Sequence, residues 1–196
     1  MGVELSPRPV QVRQELGPKC WAAAFTSWLT VNKNRPQLNQ QQLIERYGNP
    51  EKGGSISFKD AKWLELVADM NLSNSYVVTP KTFDDKPIVE RLKAQRAQEA
   101  EFKKGVEHYI NLHGYLLLVF NHTRSRLRGI VSHMVVVFGT RIVDDRLTLT
   151  VMDPTQGGFR SMGFSELLGN PTVLIFTQET VTRDRKPLPK LRQFPD

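Results

Sequence analysis

The single cysteine of the chain, Cys20, opens an alanine-rich apolar stretch, "CWAAAFTSWL", directly after the break at Gly17-Pro18. This pattern predicts a helix that begins at the cysteine. Unpaired backbone N–H groups and the positive end of the helix dipole favour a thiolate over a thiol at such a position. The chemistry it would support is nucleophilic attack by sulfur. The alternative is a small core residue, which is what most free cysteines are.

A sulfur nucleophile needs a base, and the base needs a group that orients it. Among the four histidines, His133 is the best candidate because it begins "SHMVVVF", a strand that is apolar on both faces. A central strand of this kind rarely holds an ionisable ring that lacks a partner. His108, His113 and His122 are explained by a helix end or by a solvated loop. We therefore expect His133 to face a polar group.

The next strand supplies that group in Asp153, which follows "RLTLTVM" and precedes Pro154. A hairpin with a two-residue loop at 144–145 would put Asp153 opposite Val136, on the side away from His133. A three-residue loop, or one bulge between 133 and 153, would put the two on the same side. We predict such an irregularity. The alternative is that Asp153 is a turn residue before a proline.

Further candidate residues flank the cysteine and the histidine. The Gln14 amide, six residues before Cys20, could donate to an oxyanion, with the Cys20 backbone N–H as a second donor. Trp21 would line the substrate site or fill the core behind the cysteine. Three arginines directly precede His133 and would border a cleft, where they would favour an acidic stretch of substrate or an acidic inhibitor: Arg124, Arg126 and Arg128.

The candidate residues must be positioned by predicted helices in the first part of the chain and by predicted strands in the second. Apolar spacing predicts helices over 20–32, 40–48 (capped by Asn39), 58–71 and 86–112, and period-two patterns predict strands over 115–121, 132–143, 146–153 and 172–177. This order predicts an α+β fold, with a helical N-terminal lobe packed on a mostly antiparallel C-terminal sheet and the active site between them. We expect one domain over 1–196, with its core at 11–179 and an extended basic tail at 180–196.

The buried faces of two helices can also be predicted from spacing. On the third helix, Phe58, Ala61, Leu64 and Ala68 form one stripe. On the long helix the predicted face consists of Val89, Leu92, Phe102, Val106, Tyr109 and Ile110, and the middle, "KAQRAQEAEFKK", reads as a solvated surface.

Composition limits the classes of function. One cysteine in 196 residues permits no internal disulfide and excludes a thiolate-rich zinc site. The start shows no secretory signal, and no apolar run is long enough to span a membrane. We expect a cytoplasmic protein, or one secreted or delivered into the cytosol of a target cell. The net charge of +7 favours acidic partners, but the basic residues are not interleaved with aromatics, which argues against nucleic acid.

The four residues together resemble a known family. Q-x5-C-W at a helix start, S-H on a strand and D-P about twenty residues later are similar to papain-like cysteine peptidases. The segments "KCWAAAFTSWL", "SHMVVVFGTRIVDDRLTLTVMDP" and "GGFRSMGFSELL" resemble most its compact bacterial branch. That branch includes peptidases that process bacteriocin leaders, effector proteases of plant pathogens and contact-delivered toxins. The resemblance covers residues 11–170.

The resemblance implies a papain-like fold and roles for four residues. Cys20 would be the nucleophile and His133 the general base and then acid, while Asp153 orients the imidazole and Gln14 helps to form the oxyanion hole. It implies no metal, no organic cofactor, a protein substrate and a cognate inhibitor or immunity protein as partner. The sequence departs from the plant and lysosomal enzymes in two ways. Gly17 stands where those enzymes have a second cysteine, three residues before the nucleophile. Cys20 and His133 are only 113 positions apart, whereas the cysteine and histidine of those enzymes are about 130–150 positions apart.

Three other functions fit parts of the same pattern. A transglutaminase, deamidase or amidase would share the Cys-His-Asp order. A non-catalytic binding domain would retain the fold alone. A basic nucleic-acid-binding domain would use the surface charge instead.

Overall fold

The helices of the protein precede most of its strands, in the order that the sequence predicts. The computed structural model describes residues 2–58, 60–122, 131–168 and 173–178. The predicted tail at 180–196 and the basic loop with Arg124, Arg126 and Arg128 lie outside these described residues. The helices are α1 (Cys20–Val31), α2 (Gln40–Tyr47), α3 (Ala61–Asp69) and α4 (Ile88–His113), with short 3₁₀ turns at Pro50–Lys52 and Phe164–Leu167.

The strands form a single antiparallel sheet. They are β1 (Val3–Glu4), β2 (Leu72–Val78), β3 (Leu116–His122), β4 (Val131–Val143), β5 (Arg146–Asp153), β6 (Gly158–Gly163) and β7 (Val173–Gln178). Their order is β2-β7-β3-β4-β5-β6, and β1 pairs with the part of β4 that extends beyond the first residue of β3. The prediction of α+β architecture with a mostly antiparallel sheet is confirmed.

The sheet has a hydrophobic cluster on each face. One cluster joins α1, α2 and α3 to the sheet through side chains such as Trp28, Phe25 and Met134. Three alanines of α1, at 22–24, are fully buried, and their small side chains let the helix lie close to β4. The second cluster lies under α4 and the 3₁₀ turn at Phe164–Leu167, where Phe102 contacts Phe164. The central strands are therefore covered on both sides, which explains their continuous apolar sequence.

Local signals set the starts of α1 and α2 as predicted. α1 begins at Cys20 itself. α2 begins with a capping box, in which the Asn39 side chain accepts from the Gln42 backbone N–H and the Gln42 side chain accepts from Asn39 N–H. α4 ends at His113 and is followed by Gly114, whose φ of +79° lies in a region that side chains rarely adopt.

The predicted buried stripe of α3 is wrong. The positions of α3 and its C-cap that are buried are Trp63, Leu66 and Met70, whereas Ala61, Leu64 and Ala68 face solvent and Phe58 precedes the helix. The reason is that the Trp63 ring inserts among the rings of Phe25, Phe58 and Phe176. This one large aromatic side chain turns the helix by about one position from the face that aliphatic spacing favours.

The predicted face of α4 is wrong in its first three turns. Val89 is 65% exposed and Leu92 is 49% exposed, because the buried positions of this helix begin only at Glu99. Glu99 also contradicts the prediction that the middle segment is merely solvated. Its carboxylate is buried and accepts from the Leu147 backbone N–H and from the Arg146 guanidinium, at the turn between β4 and β5. Within the described residues, no helix is both long and apolar enough to cross a bilayer.

Candidate active site

The thiol of Cys20 lies at the mouth of a crevice between α1 and the start of β4. As the first residue of α1, Cys20 is half-buried, and its Sγ lies 3.7 Å from the Ser132 carbonyl oxygen, to which it donates. The preceding loop turns sharply at Gly17, where φ is +98°, and the Lys19 N–H donates to the Gly17 carbonyl at 2.9 Å. The turn and the helix start together fix the sulfur at the end of the helix.

The ring of His133 joins this sulfur to a carboxylate. His133 is 5% exposed, and its Nε2 lies 2.9 Å from Asp153 Oδ1. The Cys20 side chain lies near enough to the ring to raise its pKa. Phe120, directly opposite on β3, presents its ring edge-on at 5.6 Å between centroids. The structure thus brings three of the predicted site residues together.

A bulge in β4 puts Asp153 on the correct side. The hairpin has a two-residue loop, with Val143 paired to Arg146, but the register shifts between Val137 and Gly139. Beyond the shift Val136 pairs with Met152, so Asp153 comes opposite Val135 and shares the face of His133. The predicted irregularity between 133 and 153 is therefore confirmed, and it is a bulge at Phe138.

Asp153 is held at both carboxylate oxygens and is only 3% exposed. Oδ1 accepts from His133 and, at 2.9 Å, from the Thr155 backbone N–H, while Oδ2 accepts from Arg160 Nε at 2.7 Å. Burial alone would raise the pKa of this carboxyl group, but the hydrogen bond and charge of His133 and the hydrogen bonds from Arg160 and Thr155 outweigh it and hold the pKa well below its usual range. The carboxylate is ionised at neutral pH.

The charge of Asp153 has a consequence for the imidazole. Burial acts to lower the pKa of His133, but the hydrogen bond and negative charge of Asp153, together with the neighbouring Cys20 side chain, act in the opposite direction and raise it to about 9. An imidazole in this environment keeps its proton at neutral pH. That proton is available for transfer to a group bound beside the sulfur.

Gln14 lies between the cysteine loop and the turn after Asp153. Its backbone N–H donates to the Pro154 carbonyl at 2.9 Å, and its side-chain Oε1 accepts from the Thr155 hydroxyl at 3.5 Å. Its Nε2 donates to the Gly17 carbonyl at 3.3 Å. The amide is therefore seated beside the candidate site, with one N–H used and a second one left for another acceptor.

The segment before Gln14 forms an N-terminal strap, residues 3–14, that lies along the sheet and α1. β1 pairs with Gly139 and Thr140 of β4, and the close approach requires Gly139, where a Cβ atom would meet the Val3 carbonyl oxygen at 2.7 Å. Farther along, the Tyr115 hydroxyl donates to the Pro7 carbonyl, and the Val10 N–H donates to Thr30 Oγ1 at 3.1 Å. These contacts fix the path of the strap and therefore the position of Gln14 at its end.

Trp21 and a neighbouring loop form the wall of a cavity of about 300 Å³ beside the thiol. The indole Nε1–H of Trp21 donates to the Gly54 carbonyl at 3.0 Å, which ties the loop to the start of α1. The other lining residues are mainly apolar or small, with Cys20 and His133 on one side: Pro18, Ser55, Ile56, Ser57, Phe58, Val119, Ser132 and Met134. The cavity can take an apolar side chain next to the sulfur.

Sequence reasoning missed the second support of Asp153. Arg160 lies on β6, a strand that was not predicted, and its Nη1 donates to Glu166 Oε1 and Oε2 at 3.0 and 2.9 Å. No periodic signal marks β6, since "GFRSMG" begins and ends with glycine. Among the described residues, no group of three or more His, Cys, Asp or Glu side chains could hold a metal ion.

Comparison with known proteins supports the fold. No protein-family model matches this chain, and no curated protein matches it. Among solved structures, one match comes from work entitled "Structural basis for the limited antibody cross reactivity between the mite allergens Blo t 1 and Der p 1". It has a TM-score of 0.50 and 14% sequence identity over 88% of this chain and 68% of that chain. A likeness at this level of identity shows the fold alone, which is papain-like.

Proposed function

We propose that this protein is a cysteine peptidase in which Cys20, His133 and Asp153 form the catalytic triad and Gln14 contributes to the oxyanion hole. The observation that carries the proposal is the convergence of a helix-terminal sulfur, a buried imidazole and a buried carboxylate in one crevice. Beside that crevice is a cavity that can take an apolar side chain. The papain-like fold adds support.

The first half of the reaction would form a thioester. The proposed reactive state has the Cys20 proton on His133, so that the sulfur attacks the carbonyl carbon as a thiolate, the C–S bond forms, and the carbonyl electron pair moves to oxygen. The second N–H of the Gln14 amide and the Cys20 backbone N–H donate to this oxyanion. When the intermediate collapses, the C–N bond breaks and His133 gives its proton to the departing amine.

The second half would release the acid product. His133, now neutral, takes a proton from a water molecule that attacks the thioester carbon. The C–S bond then breaks, the sulfur leaves as thiolate, and the imidazolium is restored. Asp153 holds the ring with Nε2 toward itself throughout, so Nδ1 remains on the side of Cys20.

The proposal extends to the kind of target. Because the sequence resembles compact bacterial effector and toxin proteases, we propose a host or competitor protein as the substrate and a cognate inhibitor as a second partner. The apolar wall formed by Trp21, Ile56 and Phe58 would select an apolar side chain near the cleaved bond.

A comparison of newly formed peptide termini tests this function. The protein and its Cys20→Ala variant are expressed in bacteria, and the termini are compared by mass spectrometry. New termini that depend on Cys20 and share an apolar residue near the cut are expected. A gain of about one dalton on glutamine side chains without chain cleavage would instead indicate a deamidase.

Labelling of Cys20 by an epoxysuccinyl inhibitor is the second measurement. Rapid labelling that is lost in His133→Asn is expected. A protein that is folded but neither labels nor cleaves would be a binding domain, and the proposed function would then be wrong.

A further inference from the structure

The carboxylate of Asp153 has a second cationic partner besides the imidazole. Arg160 Nε donates to Oδ2 at 2.7 Å while His133 faces Oδ1 at 2.9 Å, so the two cations occupy different oxygens of one buried carboxylate. The Arg160 side chain is itself only 19% exposed. Solvent therefore screens this contact weakly, and the positive charge of Arg160 acts strongly on Asp153.

Glu166 opposes that positive charge from the other side. Its two carboxylate oxygens accept from Arg160 Nη1 at 3.0 and 2.9 Å, and Oε1 also accepts from the Gly163 backbone N–H at 3.1 Å. Glu166 is fixed by its position in the 3₁₀ turn whose Phe164 and Leu167 side chains are buried. The result is a row of alternating charges: His133, Asp153, Arg160 and Glu166.

We propose that Arg160 and Glu166 are positioning residues that set how firmly Asp153 holds the proton of His133. Arg160 shares the negative charge of Asp153 and so weakens its hold on the imidazolium, and Glu166 returns part of that hold by neutralising Arg160. This inference rests on the proposed function for its purpose. A general acid must release its proton to the leaving amine, and a carboxylate paired with the imidazolium alone would retain it.

Two further arginines, Arg13 and Arg8, contact residues that neighbour Asp153 in the turn and on β6. Arg13, from the N-terminal strap, packs its Cβ against Gly157 in the turn that follows Asp153. Arg8 lies over the Phe159 ring on β6. Neither forms a hydrogen bond with Asp153 that would replace the one from Arg160.

The test measures the titration of His133 by NMR in Cys20→Ala, where neither cleavage nor the thiol affects the reading. His133→Asn assigns the signal. Arg160→Gln should raise the pKa of His133, because the imidazolium becomes the sole cation on Asp153. Glu166→Gln should lower it, because the charge of Arg160 is no longer offset. Shifts of about 0.5–1.5 units are expected for single charges at these separations.

Two variants serve as controls. Arg160→Lys should shift the pKa of His133 less than Arg160→Gln does, because it retains the charge although it loses the guanidinium fork that joins Asp153 to Glu166. Arg141→Gln removes an exposed arginine of β4 that donates to the Ser161 hydroxyl, next to Arg160 on β6, and should cause no shift. Thermal unfolding confirms that each protein is folded.

The inference requires that the pKa of His133 shift in opposite directions in Arg160→Gln and Glu166→Gln. Shifts in the same direction, or no shift in either folded variant, would overturn the inference and leave Arg160 and Glu166 with a structural role alone. Loss of peptide cleavage in the unmodified protein would contradict the proposed function but not this titration. In an active protein, Arg160→Gln should also reduce kcat by up to about threefold to thirtyfold, the range that such a pKa shift allows, with little change in KM.

Discussion

His133 and Asp153 face each other across β4 and β5 with 2.9 Å between Nε2 and Oδ1, and both side chains are almost fully removed from solvent. The contact is strong because water does not screen it. It also determines which ring nitrogen faces the sulfur. The behaviour of this pair with pH is therefore the most direct test of the site.

Stability should fall as the pH rises from near neutral. The pKa of His133 is raised to about 9 in the folded protein, against about 6.5 in an unfolded chain. The stabilisation is therefore fully present below about pH 6.5 and is lost as the pH approaches 9. We expect the free energy of unfolding to drop by about 2–3 kcal/mol over this window, measured by urea denaturation.

Asp153→Asn provides the comparison for this pH dependence. Without the carboxylate the pKa of His133 returns toward its ordinary value, so most of the decline with pH should disappear. Asp144→Asn, an exposed change in the hairpin loop where φ is +49°, should leave the decline intact. An unchanged slope in Asp153→Asn would contradict the assigned contact.

Removal of the Gln14 amide should slow turnover without altering the thiol. If Gln14 donates to the oxyanion, Gln14→Ala should reduce kcat about 100-fold to 1,000-fold. The rate at which a small alkylating reagent modifies Cys20 should stay near that of the unmodified protein. Gln41→Ala, an exposed change on α2, is the control. A fall in alkylation equal to the fall in kcat would point to a disturbed loop instead.

Two buried tryptophans allow the cavity wall to be tested separately from stability. Trp21 Nε1 donates to the Gly54 carbonyl, and Trp28 Nε1 donates to the Tyr115 carbonyl at 2.9 Å. Phenylalanine at either position should cost about 1–3 kcal/mol of unfolding free energy through the unpaired carbonyl and the lost ring volume. Trp21→Phe alone should raise KM, because it frees the loop that lines the cavity. Equal KM values in the two variants would contradict this role.

The buried carboxylate of Glu99 should support the β4–β5 hairpin. Glu99→Ala leaves the Leu147 N–H without an acceptor and should lower the unfolding free energy by about 2–4 kcal/mol in guanidinium titrations. Glu101→Ala, exposed on the same helix, should change it by less than about 0.5 kcal/mol. Similar losses for both would show that the contact contributes little.

Local signals predicted much of the fold and of the site. The glycine-proline break fixed the start of α1, the Asn39 capping box fixed the start of α2, and apolar strands predicted the central sheet. With a two-residue loop, regular pairing of β4 and β5 would put Asp153 on the face away from His133. The bulge at Phe138 shifts the register by one residue and brings the two side chains to the same face. These features depend on neighbours in the sequence or on strand alternation.

Features that depend on distant contacts were not predictable in this way. Arg160 reaches Asp153 from a glycine-bounded strand without alternation. Trp63 turned α3 toward an aromatic cluster built from three other segments. Glu99 is buried because a hairpin turn meets α4 there, a contact that helical spacing does not encode.

The N-terminal strap has a consequence for any attempt to move this site to another scaffold. A graft of residues 14–31 would carry the sulfur and its helix, but the amide of Gln14 would lose the Pro154 and Thr155 partners that seat it. The transplant would have to include the strand at Val3–Glu4, its glycine contact and the turn after Asp153. The smallest portable unit of this site is thus discontinuous, and it begins at the first strand.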